Sequence, residues 1–373
     1  MPNTEDKDIY VQLIEDVLGQ EINPFTPILQ SVEEKNTASK EAKELDDALL
    51  KSCEEFKKHF GFDEIIVGSA PQNEVGYIEP CPVQYTGDIS NGKKFHCVII
   101  GLNPHLDNHR WRPFESNTTF ADLANFHHPN DVHNNYQSER YSSDGEIKNN
   151  YWRVMGNMKY FEPKNRYRWS KYYKDIIRLY LALLPKDLEE IHNTNEDAYL
   201  DSLVEHTLDR MAEYPIANFE FIPYKSENFN IKKFMNILND ENLAADERNF
   251  ADRYKKYIQD MVKFIDKYTS DDAYIIATAS LKDNMFDSVY EILKRTLTNS
   301  HPDKEHDYFV YSLKDRDFEH GKRLPYEFAH TYLFKWGNRK VIIAPSISGH
   351  GEYTWIYDFS KGWINAIKKH AWE

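Results

Sequence analysis

Four short apolar runs, each closed by turn residues, constrain this chain more than any other feature. They are 96–102 (His-Cys-Val-Ile-Ile-Gly-Leu), 217–222 (Ala-Asn-Phe-Glu-Phe-Ile), 273–279 (Ala-Tyr-Ile-Ile-Ala-Thr-Ala) and 339–344 (Arg-Lys-Val-Ile-Ile-Ala). A near-continuous apolar run of this length describes a strand buried on both faces, and such strands belong to parallel sheets covered by helices. Helical patterning fills the intervals at 169–184, 186–213, 246–268, 281–297 and 354–369. The expected fold class is therefore α/β: a three-layer α/β/α arrangement around a central, mostly parallel, four-stranded sheet. A further strand is expected at 308–313.

Residues 1–90 read differently. Helices are expected at 5–20 and 40–60, the latter with Leu45, Ala48, Leu49 and Phe56 at helical spacing, joined by a solvated connection at 31–44. Then come a short strand candidate, Ile65-Ile66-Val67, and a loop-rich run with Pro71, Pro80 and Pro82. The expected division is 1–90, a mainly helical extension packed on the core, and 91–373, the α/β domain with insertions at about 105–168 and 227–270. The extension would also suit recruitment of a protein partner. No run approaches 18 consecutive apolar residues, and Met1–Asp6 lacks the pattern of a secretory signal, so no membrane is expected and the cytoplasm is the expected location. Cys53, Cys81 and Cys97 are scattered without CxxC spacing and read as reduced, idle thiols.

The balance of 46 basic against 61 acidic residues gives a formal charge of −15. Proteins that grip nucleic-acid backbone usually carry the opposite balance, although the local field matters more than the total. One stretch is locally basic: Lys159, Lys164, Arg166, Arg168, Lys171, Lys174 and Arg178 interleave with Tyr160, Phe161, Tyr167, Trp169, Tyr172 and Tyr173. That pattern suits a surface offering charge to phosphates and rings to bases. It equally suits an amphipathic helix with its rings turned to the core.

In parallel α/β folds, ligands bind beyond the carboxyl ends of the strands. Two of those ends stand out. Gly101-Leu102-Asn103-Pro104 closes the first run, where a glycine turn and a proline would hold the Asn103 side chain in a fixed presentation. Pro345-Ser346-Ile347-Ser348-Gly349-His350 follows the last run. Either alone is also readable as a plain surface turn; parallel strands would bring both to one edge of the sheet.

Together these motifs resemble those of the uracil-DNA glycosylase superfamily. Gly101-Leu102-Asn103-Pro104 is similar to its first motif, Gly-x-(Asp/Asn)-Pro, in the Asn form of the mismatch-specific uracil/thymine-DNA glycosylase branch. Pro345-Ser346 is similar to the middle of the second motif, (His/Asn)-Pro-Ser. The run from His128-Pro129-Asn130 to Asn149-Asn150-Tyr151-Trp152 also resembles a segment of that branch. The resemblance spans roughly 92–369. It implies a DNA glycosylase that flips a base out of DNA and hydrolyses its N-glycosidic bond, leaving an abasic site.

Carried over, Asn103 would position the attacking water, since an amide cannot act as a strong base and the bond breaks toward an oxocarbenium-like state. Gly101, Leu102, Pro104, Pro345 and Ser346 would shape the site, and Ile347 would probe the duplex. Trp111 or Phe114 would stack on the extruded base, Phe114 fitting a core position equally well. His105 directly follows Asn103-Pro104 and would contact the base pocket. Lys225 and Ser226, after the second strand, would meet a backbone phosphate, as would Arg166, Arg168 and Lys171; Ser226 also fits a helix cap.

The chain departs from the family at Ala344, where a His or Asn would stabilise the departing base; His350 is the candidate substitute. The position that reads the base edge has no clear counterpart in Phe221-Ile222-Pro223-Tyr224. An unusual or modified base, such as the bulky bases of phage DNA, is therefore expected in place of uracil, with phage defence as one setting. The alternative is a non-catalytic nucleic-acid or partner-binding module that retains the fold.

His105, His109, His127, His128 and His133 match no metal-ligand spacing, and phosphate-loop and dinucleotide fingerprints are absent. No metal and no cofactor are expected.

Overall fold

All four apolar runs are strands in a computed structural model of the chain, which describes residues 4–29, 32–61, 85–86, 94–102, 117, 119–121, 216–224, 230–239, 242–279, 284–312, 328–345, 367 and 369. They form β2 (Phe95–Gly101), β3 (Ile216–Glu220), β4 (Thr269–Ala279) and β7 (Arg339–Pro345). With β1 (Tyr85–Thr86), β5 (Tyr308–Ser312) and β6 (Phe328–Trp336) they make a seven-stranded sheet in the order β1-β3-β2-β4-β7-β6-β5. The protein is thus α/β. At its centre β2, β4 and β7 run parallel, with Val98 opposite Ile275 opposite Val341, and Ile99 opposite Ile276 opposite Ile342. All six side chains are fully buried, as a strand packed on both faces requires.

The sheet is wider than the four strands expected. The additional strand at 308–313 is present as β5, paired antiparallel with β6, which in turn pairs antiparallel with β7. A two-residue Gly337-Asn338 hairpin joins β6 to β7, and Gly337 takes φ 60 at its first central position. Glycine reaches that conformation without a steric cost, and Gly-Asn between two apolar runs is the hairpin signal that marks β6.

Contacts divide the chain into two compact units. The first comprises Met1–Lys93, Gly101–Glu139 and Phe219–Tyr268. Its described helices are α1 (Thr4–Leu18), α2 (Val32–Thr37), α3 (Lys40–Phe60), α4 (Ile231–Asn239) and α5 (Ala245–Tyr268). Helix α3 starts where Ser39 accepts from the Ala42 N–H and stops at Gly61, whose φ of 65 ends it in the left-handed region. The stretch 31–44, expected as a connection, contains α2, tied to α3 by the Lys35–Asp47 pair at 3.0 Å.

Aromatic residues build the core of this unit. Phe56 meets Phe60, Tyr224, Phe250 and Tyr254 edge-on, at centroid distances of 5.5, 5.2, 4.9 and 5.7 Å. The Tyr254 hydroxyl donates to the Phe221 carbonyl at 2.8 Å. At the surface Lys58 pairs with Asp246 at 3.0 Å, while Arg253 pairs with Glu55 and Lys256 reaches the buried Asp16. The described residues of 4–61 and 230–268 therefore belong to one compact unit, whereas the sequence reading divides the chain at 90/91 and treats 227–270 as an insertion in the core.

The second unit comprises Lys94–Ile100, Arg140–Asn218 and Thr269–Glu373. Here α6 (Met285–Thr298) packs on β4, β6 and β7, and the short α7 (Lys304–Asp307) on β6. Tyr290 stacks on Tyr332 at 3.9 Å, and their hydroxyls donate to Asp307 and Asp287, both at 2.7 Å. Cys53 and Cys97 are buried free thiols, each with its pKa pushed up by burial, which keeps them inert. Among the described residues no helix is long and apolar enough to cross a membrane.

Candidate functional site

Because β2, β4 and β7 are parallel neighbours in register, their carboxyl ends emerge at one edge of the sheet. With strands spaced about 4.8 Å apart, β2 and β7 lie roughly 10 Å from each other. The chain runs from β2 into Leu102 and Asn103, and from β7 into Ser346. Gly101 and Leu102 are half-buried at the end of β2. Pro345 closes β7 opposite Ala279. Asn103, Pro104, His105, Trp111, Phe114, Arg166, Arg168, Lys171, Lys225, Ser226, Ser346, Ile347 and His350 lie outside the described residues, as do the histidine-rich segment and the basic-aromatic stretch.

Ala344 is 1% exposed and sits opposite Thr278. Its side chain brings only a methyl group to the end of β7, so no hydrogen-bond donor is available from that position.

At the end of β3 the chemistry is different. Glu220, the last residue of the strand, is 6% exposed. Its carboxylate lies directly over Gly101: a Cβ on that residue would fall 1.8 Å from Oε2 and 2.4 Å from Oε1 and Cδ. A side chain at 101 would therefore require the end of the Glu220 side chain to move. The backbone locks the two segments together, Phe221 N–H donating to the Gly101 carbonyl at 3.0 Å and Ile222 N–H to the Leu102 carbonyl at 2.9 Å. The sequence signal for Glu220 is a single acid inside an otherwise apolar strand. Strand patterning treats such a residue as solvent-facing, so it was not among the residues singled out.

Burying a carboxyl is costly unless it keeps its proton or is met by donors. The residues on either side of Glu220 in the chain, Phe219 and Phe221, are buried as well. The Tyr257 hydroxyl is fully buried and has no hydrogen-bond partner among the described residues. Its pKa is pushed up, first by burial and then by the charges of Glu220 and Asp16. Asp16 is itself buried on α1, accepting from Gln12 at 3.1 Å and pairing with Lys256. Burial raises its pKa, while Lys256 acts in the opposite direction. Among the described residues no group of His, Cys, Asp or Glu is arranged to hold a metal ion.

A carboxylate placed at a strand end can accept N–H donors from a ligand and discriminate against carbonyl oxygens. Comparison with known protein families, with curated proteins and with solved structures finds no match to this chain.

Proposed function

We propose that this chain is a divergent member of the uracil-DNA glycosylase superfamily, a monofunctional DNA glycosylase that hydrolyses the N-glycosidic bond of an unusual or modified base in DNA. The proposal includes that superfamily's three-layer fold and a cytoplasmic location. The observation that carries it is the parallel pair β2 and β7, one strand apart, leading into Gly101-Leu102-Asn103-Pro104 and Pro345-Ser346. Asn103 would position the water, Pro104, His105, Pro345 and Ser346 would shape the pocket, and Ile347 would probe the duplex. His350 would stand in for the donor that Ala344 lacks. Trp111 or Phe114 would stack on the base, and Arg166, Arg168, Lys171, Lys225 and Ser226 would meet the backbone.

Departure of the base leaves positive charge at C1′ and negative charge on the base, so fixed dipoles matter more than a strong general base. The test is alkali cleavage of oligonucleotides carrying uracil, mismatched thymine, 5-hydroxymethylcytosine or its glucosylated form. Abasic sites on at least one substrate, reduced about 100-fold or more in Asn103→Ala, are expected from the cost of removing one such group. Product that survives the substitution would remove Asn103 from the chemistry.

Ala344 also favours a second reading. A buried methyl at the place of the leaving-group donor, in a chain of net charge −15, suits a module that retains the fold and binds a nucleic acid or protein without chemistry. Measurable DNA binding without product on any substrate would favour it.

A further inference from the structure

The two edges of the sheet are built differently. An edge strand recruits another strand unless it is short, charged, kinked by a bulge or interrupted by proline. On one side the sheet ends in β1, which has two residues. On the other it ends in β5, Tyr308-Phe309-Val310-Tyr311-Ser312, five residues with no charge and no proline. Its register with β6 is unbroken from Tyr308 to Ser312, so no bulge turns this edge aside.

The helix layer also stops short of β5. Tyr308 stands opposite Tyr332, whose ring is stacked under Tyr290 of α6. Tyr332 is 3% exposed, whereas one strand further out Tyr308 is 38% and Val310 41% exposed. They are two of the three large apolar side chains exposed among the described residues, and at alternate positions they share one face of the strand. The Tyr308 ring is held there, tilted against Tyr332 at 5.2 Å with its hydroxyl meeting His330.

Charge on this flank is directed inward. Lys294 pairs with Asp307 at 2.6 Å, Lys304 with Asp287 and Glu291 at 3.1 and 3.0 Å, and His306 lies 3.0 Å from Asp303. These cations are taken up by carboxylates of the same chain, which leaves an apolar strand as the distinctive feature. A charged partner gains little from such a strand. An identical uncharged strand meets it without like charges facing one another.

We infer that β5 is the contact surface for a second copy of this chain, the two strands running antiparallel about a two-fold axis at Val310. Val310 of each copy then faces its equivalent, with Tyr308 flanking the contact on either side. A two-fold contact of this kind closes on itself and uses up both edges, so it yields a dimer and not a filament. One strand and its flanking side chains make a small interface, so a dissociation constant of roughly 10–100 μM is expected. The inference is independent of the glycosylase reading, and its failure would leave that reading untouched.

Sedimentation of the full chain tests it, at an ionic strength near 0.15 M, where charges more than about 8 Å apart are largely screened despite the −15 on each copy. Between about 1 and 300 μM, a range that spans the expected constant, the average mass should rise from 44.2 kDa toward twice that value. Val310→Lys sets two ammonium groups opposite each other and should raise the concentration of half-association about fivefold or more. Its thermal transition shows whether it is folded.

A second pair of variants locates the axis without relying on the first. On mild oxidation Val310→Cys should form a disulfide-linked dimer, because residues directly opposite lie close enough to bridge. Tyr308→Cys places its two thiols roughly 14 Å apart and should crosslink at least about tenfold less. The oxidised wild type, with Cys53 and Cys97 buried, is the blank.

A mass that stays at 44.2 kDa throughout would overturn the inference, as would a rise that a folded Val310→Lys protein leaves unchanged. Crosslinking at position 308 equal to or above that at 310 would overturn it too. If Val310→Lys does not fold, the ratio of the two crosslinking yields decides.

Discussion

The helical unit and the sheet unit are held together by different physics. In the sheet unit the centre is aliphatic: Val98, Ile99, Ile275, Ile276, Val341 and Ile342 form register-matched rows with no polar atom among their side chains. Its polar side chains pair with one another, Tyr290 with Asp307 and Tyr332 with Asp287. The helical unit packs rings around Phe56 and ties residues 1–61 to 230–268 by pairs such as Lys58–Asp246, 188 positions apart. It also keeps Glu220, Tyr257 and Asp16 buried. The difference teaches that an aliphatic sheet is specified by register alone, whereas a ring-packed helical core also has to accommodate buried polar groups.

The largest effect should come from the centre of the aromatic cluster. Phe56→Ala removes a fully buried ring that touches four others, and a loss of about 3–5 kcal/mol is expected from core truncations of this kind. Urea denaturation measures it; a loss below about 1 kcal/mol would mean that the cluster is not what holds the helices. Next comes Gly101→Ala. Its Cβ would fall 1.8 Å from the Glu220 carboxylate, so the end of that side chain must shift, at a cost of about 1 kcal/mol. A double-mutant cycle sharpens the point. Glu220→Ala clears the space, so the pair of substitutions should cost less than the sum of the two singles. Strict additivity would separate the glycine from the carboxylate.

Much of this architecture was legible in the sequence because strands buried on both faces read as unbroken apolar runs. The runs at 96–102, 217–222, 273–279 and 339–344 became β2, β3, β4 and β7, and helical spacing at 40–60 and 246–268 became α3 and α5. Strand β6 was missed because Ala-His-Thr-Tyr interrupts its apolar character and only the Gly337-Asn338 turn marks it. The union of 1–61 with 230–268 was hidden for another reason. Contacts across such separations leave no local pattern, and a ring such as Phe56 looks the same whichever partner it meets. Glu220 was missed because an acid in a strand is normally exposed. Only the three-dimensional approach to Gly101 shows it to be buried.

The smallest effect, and the one that tests the aromatic side of the comparison by pH, lies at His59. This residue is buried near the end of α3 and stacks on Phe250, with centroids 4.5 Å apart and planes 18° from parallel. Burial lowers its pKa, and Lys58 lowers it further; Asp246, Glu247 and Glu55 act in the opposite direction without reversing the shift. A histidine whose folded pKa lies below its unfolded value of about 6.5 binds its proton more readily in the unfolded chain. Its contribution is thus fully present above pH 6.5 and is lost as pH falls from there through the folded pKa. His59→Phe keeps a ring on Phe250 and removes the titration. The difference in unfolding free energy between wild type and variant should therefore be flat above about pH 6.5 and shift in favour of the variant below it. The shift should start well above the range in which Asp246, held low chiefly by Lys58, takes up its proton. A difference curve that stays flat down to pH 5 would show that the ring meets water in the folded state, and that the stacking on Phe250 does not exclude solvent.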